Sequence, residues 1–265
     1  MGELLSISEE QRDALGDIEL VVFDIDNTLV FANDPAFYDQ YGQAVERAVA
    51  SHYQVSPEVA AHITDTYRSD FGGGEQALFR DDVHLRYPNV TARGANSALL
   101  FEELCRIEPT GHFAKQEAMR EGVIGLRSLG LKTVALTSSP EPLSRKILAE
   151  AGFDPDEDFD AYLTYGPDEL PPKMDPTRSI FAEVAQEFGA EHNHVLAVGD
   201  SLRHDITPAQ QLGMLVCLIG QQRPEDYEGM LASSTIDLIS NLQVSLLAKR
   251  QGLPIAGDEV RWRSQ

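Results

Sequence analysis

Five short runs rich in Val, Leu and Ile recur along the chain, at residues 19–24 (ELVVFD), 132–137 (KTVALT), 161–165 (AYLTY), 194–199 (HVLAVG) and 214–219 (MLVCLI). Segments 115–129, 140–151, 176–188 and 204–212 lie between them with helical periodicity, and several stop at a glycine such as Gly130, Gly152, Gly189 or Gly213. Apolar runs alternating with helices specify an α/β fold: a Rossmann-like parallel sheet flanked by crossover helices. In such sheets ligands bind beyond the carboxyl ends of the strands, where most of these runs finish in a polar residue.

One interval breaks the rhythm. Roughly a hundred residues separate the first run from the second, far more than one crossover needs. Phe37, Tyr41, Ala44, Val45, Ala48 and Val49 recur there at helical spacing. Val59, Ile63 and Tyr67 follow after Pro57, and Leu99, Leu100, Leu104 and Ile107 form a later apolar face. We therefore expect an inserted, mainly α-helical cap domain over residues 32–114, a core of residues 1–31 and 115–250, and a tail at 251–265. Gly72-Gly73-Gly74 reads as a flexible turn, because no strand precedes it as a nucleotide fingerprint requires. Residues 236–247 read as a closing amphipathic helix.

A net charge of −22 repels nucleic-acid phosphates and anionic membranes, and no basic patch interrupts it, so neither is expected as a partner. Nothing approaches the ~18 consecutive apolar residues of a membrane span, and the first residues carry no basic leader. Cys105 and Cys217 lie far apart in apolar surroundings, which predicts two buried free thiols in a reducing compartment. The expectation is a cytoplasmic protein; its oligomeric state is not readable.

Chemistry concentrates at the run ends. The first enters Asp24-Ile25-Asp26-Asn27-Thr28, where a spacing of two puts both carboxylates on one side of an extended backbone. Two close carboxylates repel, so one tends to hold a proton, which is the division a nucleophile and a general acid need. A turn or helix cap is the bland alternative for a lone Asp-x-Asp. An EF-hand loop is excluded, since Leu29 and Pro35 occupy its glycine and glutamate positions. Asp154-x-Asp156-x-Asp158 fails likewise and reads as a solvated acidic loop.

The second run ends in Thr137-Ser138-Ser139, hydroxyls that can donate to phosphate oxygens or merely cap a helix. Lys173 follows Pro171-Pro172 and is presented from a rigid loop, where a fixed ammonium could neutralise phosphate. The run 194–199 leads into Gly199-Asp200, with Asp205 soon after. Oxygen-only acidic ligands from separate strand ends suit Mg2+, and no Cys/His cluster with zinc spacing competes.

The order Asp24-x-Asp26-x-Thr28, Thr137, Lys173, Gly199-Asp200-x4-Asp205 resembles the four motifs of the haloacid dehalogenase-like (HAD) phosphatases. That resemblance implies a Rossmann-like core with a type-1 cap inserted after the first motif, and a small phosphorylated metabolite as substrate. It gives Asp24 as nucleophile, Asp26 as acid then base, and Thr137, Ser138 and Lys173 as phosphate-binding groups. It further implies Mg2+ held by Asp24, Asp26 through its backbone carbonyl, and Asp200, with Asp205 and Thr28 supporting them. Enzymes that expel halide lack a carboxylate at the position of Asp26, so the resemblance points away from dehalogenation. A phosphomutase of the β-phosphoglucomutase type shares every core motif and is the alternative. A receiver-type signalling module or a non-catalytic binding protein fits less well. A weaker likeness of the insertion to the pyrimidine 5′-nucleotidase branch ranks nucleoside monophosphates ahead of sugar phosphates.

Overall fold

Strand β2 (Leu20–Phe23) consists of four buried apolar residues, the pattern of a strand covered on both faces. Its alternation divides the interior. Val21 and Phe23 join one apolar cluster and Leu20 and Val22 the other. The computed structural model describes residues 5–6, 8–71, 79, 98–169, 171–175, 178–220, 227 and 229–252.

Parallel neighbours β3 (Lys132–Pro140) and β5 (Val195–Gly199) flank β2, with Phe23 level with Ala135 on one side and Val198 on the other. Strand β4 (Ala161–Tyr165) pairs with β3, while β6 (Leu215–Ile219) and β7 (Met230–Ala232) extend the sheet beyond β5. The short β1 (Leu5–Ser6) closes the β7 edge antiparallel, giving the order β1-β7-β6-β5-β2-β3-β4. The chain thus builds outward on one side of β2, then returns to build on the other. The carboxyl end of β2 is this sheet's topological switch point, where open α/β sheets bind ligands.

One face is covered by α1 (Glu9–Leu15), α5 (Glu117–Ser128), α6 (Glu141–Ala151) and α10 (Thr235–Arg250). The other is covered by α8 (Ile180–Phe188) and α9 (Thr207–Gln211). Helices α2 (Pro35–Tyr53), α3 (Pro57–Phe71) and α4 (Ala98–Cys105) lie between β2 and β3 in sequence, and α2 packs on both other members. Asp34 starts α2 by accepting from the Ala36 amide at 2.9 Å, with Pro35 at the first helical position. The two chain crossings into this insertion meet at an antiparallel Ala32–Phe113 bridge, beside an Asn33 amide to His112 carbonyl bond of 2.8 Å.

Several expectations need correction. The helix expected at 204–212 is a π-helical turn, Leu202–Ile206, followed by α9, and α8 begins only at Ile180. Strands β1 and β7 were not foreseen, being two and three residues long. The 154–158 stretch is not a solvated loop: Asp154 caps the short α7 (Pro155–Asp158), and Asp158 is buried against Arg120 at 2.7 Å. Both thiols are free, but Cys105 is only half-buried, one helical step past the buried Leu104. The glycine triplet at 72–74 and nearly all of the tail fall outside the described residues. No helix among the described residues is long and apolar enough to cross a membrane.

Candidate active site

The Asp24 amide donates to Val198 O at 2.9 Å, carrying the β2–β5 ladder one residue past the strand. The chain then turns tightly: Ile25 O accepts from the amides of Leu29 and Val30 at 2.9 and 3.0 Å. Asn27 tolerates the left-handed conformation this requires, at φ 58°. Ile25, Leu29 and Val30 are buried, which turns the acidic side chains of the loop away from the core.

Lys173 stands on a 3-10 turn, Pro172–Met174, held by the preceding prolines. Its side chain is only 3% exposed, and its ammonium donates to Asp24 Oδ1 at 2.5 Å and Asp205 Oδ1 at 2.6 Å. Burial alone would lower its proton affinity, but Asp205 and Asp24 outweigh that and hold it above its ordinary value. Asp205 Oδ2 accepts from the Ser201 amide at 3.0 Å, an approach made by the π turn, in which the Ile206 amide reaches back to Ser201 O. A Cβ on Gly199 would lie 2.3 Å from the Asp205 carboxyl, so glycine there leaves room for this carboxylate.

Asp24 Oδ2 accepts from the Thr28 hydroxyl at 2.9 Å, and Thr28 O in turn accepts from Thr235 Oγ1 at 2.6 Å. Asp26 faces the end of β3, where its Oδ2 accepts from Ser139 Oγ at 3.0 Å and Thr137 Oγ1 at 3.4 Å. The resemblance gave Ser139 no role, although strand alternation pairs it with Thr137. The Ser138 hydroxyl is buried without a hydrogen-bond partner among the described residues.

Asp24, Asp200 and Asp205 offer carboxylate oxygens within 4.8 Å of one another; the Asp26 side chain is not in that group. Burial raises Asp24 well above its ordinary value; Lys173 opposes the shift, and Asp205 and Asp200 add to it. Burial and Asp205 push Asp200 up to about 6. An all-oxygen set carrying more negative charge than one ammonium balances fits a hard divalent cation.

A stability prediction follows for metal-free protein. Because the folded Asp200 binds its proton more tightly than an ordinary carboxyl (3.8), its contribution to stability is present below pH 4 and lost as pH rises through about 6. The Tm of Asp200→Asn relative to the parent should therefore climb between pH 4 and 6. Asp200 keeps contact with solvent despite the burial around its carboxyl, so screening trims the size and the sign is what counts. A Tm difference flat across that range would show that Asp200 ionises as it does in the unfolded chain.

Residues 18–213 match the family model of haloacid dehalogenase-like hydrolases. The chain belongs to that family. No curated protein matches the sequence. Among solved structures, a HAD phosphatase from Thermococcus onnurineus is similar at 19% identity and TM-score 0.51, covering 85% of this chain and 98% of its own. CbbY from Rhodobacter sphaeroides in complex with phosphate is similar at 15% identity and TM-score 0.55, covering 85% and 99%. A mutant CbbY in complex with xylulose-(1,5)bisphosphate has the same TM-score at 13% identity, covering 85% and 99%. At these identities the likeness is one of fold, and the chemistry must be argued from this chain's own residues.

Proposed function

We propose that this HAD-like hydrolase is a Mg2+-dependent phosphatase of small phosphomonoesters that works through an aspartyl phosphate on Asp24. One observation carries the reading: a second carboxyl, Asp26, follows Asp24 on the same loop, bonded to the Ser139 and Thr137 hydroxyls and with its proton affinity raised by burial. An alkoxide leaving group needs a proton donor, whereas a departing halide does not.

Lys173 and Thr28 orient Asp24, leaving each carboxylate oxygen a further lone pair with which to attack phosphorus in line. The P–O bond to the leaving group breaks as the Asp24–phosphorus bond forms, and Asp26 gives its proton to the departing oxygen. Asp26 then takes a proton from the water that attacks the phosphoenzyme, releasing inorganic phosphate and restoring Asp24. The Thr137 and Ser139 hydroxyls hold the Asp26 carboxyl at the end of β3. Asp24 and Asp200, with the Asp26 backbone carbonyl, would hold Mg2+, which when bound offsets the repulsion between anionic nucleophile and phosphate. Asp205 has both oxygens engaged and supports Lys173. The helical insertion, proposed as a cap over residues 32–114, selects the substrate. Nucleoside monophosphates rank first, and the phosphate and sugar bisphosphate held by CbbY support sugar phosphates next.

A panel of phosphorylated metabolites tests this directly. Phosphate release in Mg2+ that stops with EDTA is expected. Conversion of a sugar phosphate to its isomer without phosphate release would make the protein a mutase, and inactivity on every phosphomonoester would sink the reading.

A further inference from the structure

The first residue of α10, Thr235, is fully buried and sends its hydroxyl out of its own helix: Oγ1 donates to Thr28 O at 2.6 Å, across 207 positions of chain. Ser234 already caps this helix by accepting from the Asp237 amide at 3.3 Å, so the Thr235 side chain is not needed there. The anchor is firmly seated. Leu238, Ile239, Leu242 and Leu246 bury α10 in the apolar cluster on its face of the sheet, and Gln243 Nε2 donates to Gly122 O of α5 at 3.1 Å.

Thr28 depends on that anchor. Its amide meets Ile25 O only at 3.3 Å, and no backbone amide among the described residues bonds its carbonyl. A β-branched side chain is stiff at χ1, so a fixed Thr28 backbone leaves its hydroxyl few directions, and the one it takes is toward Asp24 Oδ2 at 2.9 Å. The last torsion of an aspartate is broad, and its carboxylate turns easily. Lys173 on Asp24 Oδ1 alone would leave the group free to swing about that bond; Thr28 on Oδ2 fixes its plane.

We propose that Thr235 is a positioning residue that acts through Thr28 to hold the plane of the Asp24 carboxylate for in-line attack. Being fully buried, it meets neither solvent nor substrate, and it affects the rate only by what it does to Thr28. This inference rests on Asp24 being the nucleophile, as read above. Misplacing a reacting atom by about 1 Å costs on the order of 10^2 in rate; a slackened Thr28 moves Asp24 Oδ2 by less, so a loss of roughly tenfold is expected. Substrate binding should hold, because Lys173 and the cation site are left in place.

The test measures kcat, KM and Tm of the full-length protein with p-nitrophenyl phosphate at saturating Mg2+. Thr235→Val, which removes the hydroxyl and keeps the branched stem, should lower kcat roughly tenfold with KM unchanged. Thr235→Ser keeps the donor and should keep the parent's kcat. Ser234→Ala removes the neighbouring cap; it should lower Tm yet leave kcat alone, which a merely structural role for Thr235 would not distinguish. Thr28→Val cuts the chain at its other bond and should show the same split between kcat and KM, and adding Thr235→Val to it should slow the enzyme no further. Parental kcat in Thr235→Val, a loss that serine does not restore, an equal loss in Ser234→Ala, or losses that multiply in the double variant each overturn the proposal. Parental kcat in Thr28→Val overturns it even if Thr235→Val does not fold. A parent that releases no phosphate overturns the nucleophile reading, and this inference with it.

Discussion

Replacing Asp24 by Asn should cut Mg2+-dependent phosphate release by at least about 10^4-fold, the scale on which removal of a covalent nucleophile acts. The amide keeps the shape of the carboxyl but has no ionised oxygen with which to attack. The fold should survive, because the losses and gains nearly offset. Lys173 loses one of its two carboxylates but keeps Asp205 at 2.6 Å. In exchange, the cluster sheds a buried negative charge that Asp205, Asp200 and Asp26 all oppose. The Thr28 hydroxyl can reverse from donor to acceptor and take up the new NH2 group. We expect a circular dichroism spectrum unchanged from the parent and a stability change within about 2 kcal/mol of it. A variant that retains a tenth of the activity would remove Asp24 from the reaction.

The elements that were readable in the sequence are those whose signal is local and repeated. Four buried residues in a row at 20–23, or at 195–198, leave little choice but a central parallel strand. The polar residues that follow must then lie at the ligand-binding end of the sheet. The length of the interval after Asp24 disclosed the helical insertion for the same reason, since a single crossover could not consume it.

What stayed hidden depends on contacts between distant segments or on very short ones. The three residues of β7 carry no periodicity, and only β6 and β1 on either side make them a strand. Asp158 looked solvated because its partner Arg120 lies 38 positions away. A bond of 2.6 Å from the Tyr38 hydroxyl to Asn27 Oδ1 was invisible because Tyr38 falls off the apolar face of α2, and off-face residues ordinarily meet only water. The π turn at 202–206 is likewise set by what it must do, namely bring Asp205 beneath Gly199 and against Lys173, and no residue preference announces it.

Lys173 is the group on which both folding and chemistry are expected to depend most heavily. Lys173→Met keeps an unbranched stem and removes the ammonium with its charge and both hydrogen bonds, leaving Asp24 and Asp205 facing each other in a site where neither is more than 10% exposed. Taking one partner from a buried ion pair costs ~3–5 kcal/mol. For a chain of this size that corresponds to a fall in Tm of roughly 6–20 °C. The loss should depend on pH with a definite sign. Asp24 is already raised by burial and loses the one cation that opposed the shift, so its folded pKa rises further. A raised carboxyl favours the folded state at low pH and loses that advantage as pH climbs. The deficit of Lys173→Met should therefore be small at acid pH and grow as pH climbs through the raised pKa of Asp24. Millimolar Mg2+ should restore part of the Tm at neutral pH, since a divalent cation supplies the missing positive charge. Turnover should stay at least about 10^2-fold down, because the metal cannot also replace the ammonium that holds Asp24 Oδ1 in place. A variant as stable as the parent across this pH range would mean that the ammonium does not stabilise the Asp24 and Asp205 pair.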